Sequence, residues 1–91
     1  MDARGIVGWN LRRLRVERGL SQERLALAAE IDRAYVGRVE RGRENVTITT
    51  LEALARALGV AVAALFVEPE PGAPRPAPLP AGRRRRSVEP R

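Results

Sequence analysis

Residues 20–42 read LSQERLALAAEIDRAYVGRVERG, two short apolar patterns with a break between them. Leu25, Ala26 and Ala29 recur at helical spacing and make one inward face. Ile31 sits at the break, and Val36 and Val39, three residues apart, make the second face. Helices this short are marginal in isolation, because nucleating the first turn outweighs the few hydrogen bonds that follow. Flanking helices must therefore hold them. The polar face left on the second of the pair carries Arg33, Arg38 and Arg41.

The flanks supply that support. Over 6–18, Val7, Leu11 and Leu14 turn to one side, and Gly19 is a natural left-handed stop. Ser21 is placed to cap the next helix, with Gln22 and Glu23 in its first turn, and Asp32 to cap the one after, which should end at Gly42. A fourth helix opens with Thr49 and Glu52 in capping-box spacing, carries Leu51, Leu54, Ala55 and Leu58 inward, and stops at Gly59. A short fifth, Val62–Phe66, offers Leu65 and Phe66 as a lid. No strand pattern competes, so the class is all-α. The break at 30–31 gives the central pair the spacing of a helix-turn-helix, whose second helix a rigid scaffold can present to a DNA major groove.

A chain of 91 residues has room for one small core and a tail, and not for a deep enzyme cleft. Its net charge is +6, and all 17 basic residues are arginine, whose planar fork of donors suits phosphates and guanine edges. Polyanions are the partners such a balance favours. With no cysteine there is no disulfide or thiolate metal site, and with no histidine zinc ligation and general acid–base work lose their usual residue. We therefore expect no metal, no cofactor and no catalysis. The opening MDARGIVGWN lacks the layout of a signal peptide and no apolar run is long enough for a membrane span, which fits a cytoplasmic location. Composition changes near Val67: all 7 prolines follow it, with no periodic apolar face. The expected division is a folded domain over 5–67 and a disordered Pro/Arg-rich tail over 68–91.

Three motifs stand in order: R-x-x-x-G-L-S-Q-x-x-L-A, then D-R-x-Y-V-x-x-V-E-R-G, then T-x-x-T-L-x-x-L-A-x-A-L-G-V. Together they span nearly the whole folded region, and the chain resembles the Cro and phage-repressor type (XRE family) of helix-turn-helix DNA-binding domains. The resemblance implies a compact five-helix, lambda-repressor-like bundle acting on double-stranded DNA. It makes Gln22 a phosphate anchor that can also brace a recognition-helix side chain, and free amides at a helix N-terminus independently favour a phosphate there. Ser21 is then a cap, and Ala26 the small residue where the two helices cross.

On the recognition helix the resemblance turns Arg33 and Ala34 to base edges, with Gly37 and Arg38 one turn further. Arg33 is the leading reader, since a bidentate arginine to guanine is the commonest specific contact, with phosphate binding alone as its other role. Ala34 offers only an apolar touch to a thymine methyl, and Arg38 suits base or phosphate. Tyr35 either packs at the helix edge or hydrogen-bonds a phosphate. In similar domains Glu40 pairs with the arginine at the position of Arg15, which implies a structural ion pair. Arg43, Asn45 and Thr47 fall where such domains grip the sugar–phosphate backbone, or else they form a polar approach to the next helix.

Two positions depart from the pattern. Glu30 stands where the turn usually has glycine, at a cost of about 1 kcal/mol if the backbone there is left-handed. Gly37 lies inside the recognition helix, at about 1 kcal/mol relative to alanine. The run D-R-x-Y followed by E-R-G-x-x-N-x-T is also similar to the controller proteins of restriction–modification systems, which usually end soon after the fifth helix.

Reading a useful length of DNA normally takes two half-sites roughly 34 Å apart, so we expect a homodimer, with Val60, Val62 and Phe66 as interface candidates and Trp9 placed either on the core or in the interface. The resulting function is a sequence-specific transcription regulator, a repressor or autoregulator on a palindromic operator, in a bacterial or phage-type setting at the nucleoid. The competing reading is an antitoxin or other interaction module whose tail binds a partner protein. The arginine run 83–86 is either a solvated tail or a mobile arm that adds phosphate contacts; a lipid-binding role has no adjacent amphipathic anchor to support it.

Overall fold

In the computed structural model, which describes residues 1–74, every regular element is helical: α1 (Ala3–Glu17), α2 (Gln22–Ala29), α3 (Arg33–Glu40), α4 (Ile48–Leu58) and a closing 3-10 helix (Val62–Phe66). Helix α1 starts three residues earlier than the apolar pattern suggested, because Asp2 caps it: one carboxylate oxygen accepts the Gly5 N–H at 3.0 Å. That bond, helped by Arg4, holds the exposed Asp2 carboxyl below its ordinary pKa. Ser21 caps α2 by accepting the Arg24 N–H at 3.0 Å. Asp32 occupies the N-cap position of α3 with extended backbone but makes no capping bond with its side chain.

The cap of α4 is Thr47 and not Thr49: the Thr47 hydroxyl accepts the Thr50 N–H at 3.1 Å. A threonine two residues upstream therefore outcompetes the capping-box spacing that Thr49 and Glu52 share. Each α-helix ends by one device, a left-handed residue that lets a following amide reach back to a carbonyl of the last turn. Gly19, Gly42 and Gly59 serve after α1, α3 and α4. After α2 the residue is Glu30, at φ 59 and ψ 44, with the Ile31 N–H on the Ala26 carbonyl at 2.9 Å.

The inward positions of the four helices and the closing 3-10 helix form one core in which Leu11, Leu25, Val36, Leu54 and Leu65 are fully buried. Helix α1 packs on α3 and the closing 3-10 helix, while α2 packs on α3 and α4. Leu65 plugs this core, but Phe66 points away and is 46% exposed, so only one of the two expected lid residues acts as a lid. A 3-10 turn places successive residues about 120° apart, which separates the pair.

Asn10 pins the closing turn. It is fully buried, and its amide nitrogen donates to the carbonyls of Ile6, Leu65 and Val67 at 3.0, 3.1 and 2.7 Å. Arg18 likewise ties α1 to α4 by donating from Nε to the Leu58 carbonyl at 2.5 Å. Trp9 is half-buried, with the Arg13 guanidinium 5.6 Å from its ring centre.

Among the described residues, no helix is long and apolar enough to cross a membrane. Of the tail expected over 68–91, residues 68–74 are described and include a turn closed by the Ala73 N–H on the Glu70 carbonyl at 2.9 Å. The arginine run 83–86 lies outside the described residues.

Candidate nucleic-acid interface

The second helix of the pair is seated by an ion pair in the interior. Glu40, in the last turn of α3, accepts from Arg15 Nε at 2.5 Å and from a terminal Arg15 nitrogen at 3.1 Å. Both side chains are almost wholly withdrawn from water, at 6% and 1% exposure. Such a pair needs further partners to offset desolvation. Arg15 donates also to the Leu20 carbonyl at 2.8 Å, and the Gln22 side-chain amide donates to Glu40 at 3.1 Å. This cluster ties α1, the start of α2 and the end of α3 together. Gln22 thus braces the end of α3 from the first residue of α2.

A second contact at the same end was invisible in the residue pattern. Gly8 of α1 lies directly under the end of α3: a Cβ built there would overlap the Val39 carbonyl oxygen and stand 2.9 Å from that of Glu40. Only a hydrogen can occupy that position at this helix separation. A glycine inside a helical stretch signals this only when the opposing backbone is known, so sequence reading passed over it.

The opposite end of α3 is open. Arg33 and Ala34 in its first turn are exposed, and Arg33 has no hydrogen-bond or ionic partner among the described residues. Tyr35 is half-buried against the core. Gly37 is buried, and a Cβ there would come within 3.3 Å of an Arg41 guanidinium nitrogen and 3.8 Å of the Gln22 side chain. The glycine therefore forms a notch occupied by Arg41 and Gln22. Arg38 stacks with its guanidinium carbon 5.6 Å from the Tyr35 ring centre and donates from Nε to Glu44 at 2.6 Å.

In the loop beyond, Arg43 and Asn45 are exposed, while the Thr47 hydroxyl is engaged in capping α4. The structure thus brings Gln22, Gly37 and Arg41 together, holds Arg38 separately on Tyr35 and Glu44, and leaves Arg33, Ala34, Arg43 and Asn45 exposed. Arg41 was expected only on the polar face of this helix, with no contact assigned to it, and Glu44 carried no expectation at all. Glu44 sits six positions from its partner across a helix end, a spacing that periodicity does not test.

The helix-turn-helix family profile matches residues 11–65, which contain every one of these residues except those of the first two turns of α1. The chain belongs to the helix-turn-helix family. Among its relatives is a hypothetical transcription factor from Neisseria meningitidis, 44% identical over 68 residues that make up 75% of this chain and 64% of the relative. The chain thus spans just under two thirds of that protein's length. Control protein C.SmaI from Serratia marcescens is 45% identical over 65 residues, 71% of this chain and 77% of the control protein. Among solved structures, the restriction–modification controller protein C.Esp1396I, crystallised as a tetramer with its natural 35 base-pair operator, superposes with a TM-score of 0.67. The two are 32% identical, over 72% of this chain and 87% of the controller.

Proposed function

We propose that this protein is a sequence-specific DNA-binding transcription regulator, a repressor or autoregulator that acts as a homodimer on a palindromic operator. The observation that carries the reading is the asymmetry of α3: its last turn is buried on the Arg15–Glu40–Gln22 cluster while Arg33 and Ala34 in its first turn stand free. That arrangement supports the first turn entering the major groove, where Arg33 meets a guanine edge and Ala34 a thymine methyl. Arg38 reads one turn further along. Gly37, buried beneath its neighbours, contributes the notch and not a contact of its own. Gln22, Arg43 and Asn45 hold phosphates, with the open amides of the α2 N-terminus beside Gln22; Tyr35 and Thr47 border that surface.

The dimer reading draws on two supports. The C.Esp1396I controller is a tetramer in complex with its operator, and the closing turn of this chain exposes Phe66 and Val67 beside half-buried Val60 and Val62. Selection of bound sequences from random double-stranded DNA by the purified full chain, at two salt concentrations, tests the proposal. An enriched motif with inverted symmetry is the expected result. Recovery of unenriched DNA with only a salt-dependent affinity would overturn it.

A further inference from the structure

Arg38 and Arg33 lie on the same helix, yet only Arg38 is held. Its guanidinium stacks on Tyr35, and its Nε is taken by the Glu44 carboxylate at 2.6 Å from the loop that follows α3. Neither Glu44 nor Arg38 is deeply buried, at 25% and 43% side-chain exposure, so burial does not force the pair together. Among the described residues nothing accepts from the two terminal nitrogens of Arg38. They are the donors that fit the O6 and N7 of guanine as a fork. We propose that Glu44 is a specificity-determining positioning residue, which fixes the Arg38 fork for a guanine edge and neutralises it against phosphates.

The physical reasoning has two parts. An arginine already paired with a carboxylate gains little from an anionic phosphate, because the pair carries no net charge. It keeps its outward donors, however, so a neutral base edge that offers two acceptors is favoured over the backbone. Fixing a long side chain before binding also removes the ordering entropy that a free arginine must lose on contact. Arg33, exposed and without a partner among the described residues, enjoys neither effect and attracts phosphate and base alike.

The inference rests on the DNA-reading function above, and the experiment separates the two. With the selected operator in hand, the affinity of the full chain for it, for operators changed at each guanine and for scrambled DNA is measured against salt for wild type, Glu44→Gln, Glu44→Asp and Arg38→Ala. Arg38→Ala should lose discrimination at one guanine. Glu44→Gln should lose about five- to tenfold of the preference at that same guanine, bind scrambled DNA more tightly, and steepen the salt dependence by about one released counterion. Glu44→Asp keeps the charge but withdraws it by one methylene, and should lose the preference with an unchanged salt slope. Thermal unfolding of each variant confirms that the fold is intact.

Preference at that guanine within twofold of wild type in both Glu44 variants would overturn the proposal while leaving the regulator reading standing. So would full discrimination by Arg38→Ala. Absence of any enriched operator would remove the regulator reading and this one with it.

Discussion

The two ends of α3 treat their charges in opposite ways. At its C-terminal end Glu40 is buried and takes hydrogen bonds from Arg15 and Gln22, with Gly8 of α1 pressed against the backbone beside it. At its N-terminal end Arg33 stands in water with no partner among the described residues. One end is built for stability and the other leaves donors for a ligand. Because the anchored end fixes the helix axis, the free end can present side chains at a set angle without a core of its own.

Breaking the anchored end should have the largest effect. Glu40→Ala leaves the Arg15 guanidinium buried without its carboxylate, and should lower unfolding free energy in urea by about 3–5 kcal/mol. Gly8→Val drives a side chain into the Val39 and Glu40 carbonyls, so the two helices must separate; about 3 kcal/mol is expected from the same measurement. On the exposed side, Arg43→Ala should leave the urea midpoint unchanged, weaken binding to every DNA sequence alike, and reduce the salt slope by about one. The smallest change lies between the two ends' supports, at the turn. Glu30→Gly relieves a left-handed backbone at φ 59 and should stabilise the fold by about 1 kcal/mol, with DNA discrimination intact.

The inward residues of α1 to α4 were legible because a buried helical face repeats at a fixed spacing, and Val7, Leu11, Leu25, Val36, Val39, Leu51, Leu54 and Leu58 all lie in the core. Helix ends were legible only in part. Ser21 caps as its position suggests, whereas Thr47 displaces Thr49, since two threonines near a start compete and local geometry decides between them.

Contacts between distant segments left no local trace. Asn10 reads as a polar residue on a helix, yet it is buried and bonds carbonyls 55 and 57 residues away. Gly8 and the Arg38–Glu44 pair are hidden for the same reason: each depends on where another backbone or loop arrives. In the candidate interface, the resemblance supplied residue positions, and the structure added which of them are held and which are free.

The most direct test of the account compares Arg33→Ala with wild type in two measurements on the full chain: the urea midpoint, and the ratio of affinities for operator and scrambled DNA. The account predicts an unchanged midpoint and a ratio reduced by about 1–3 kcal/mol, with specificity relaxed at one base position. Full discrimination retained by Arg33→Ala would contradict it.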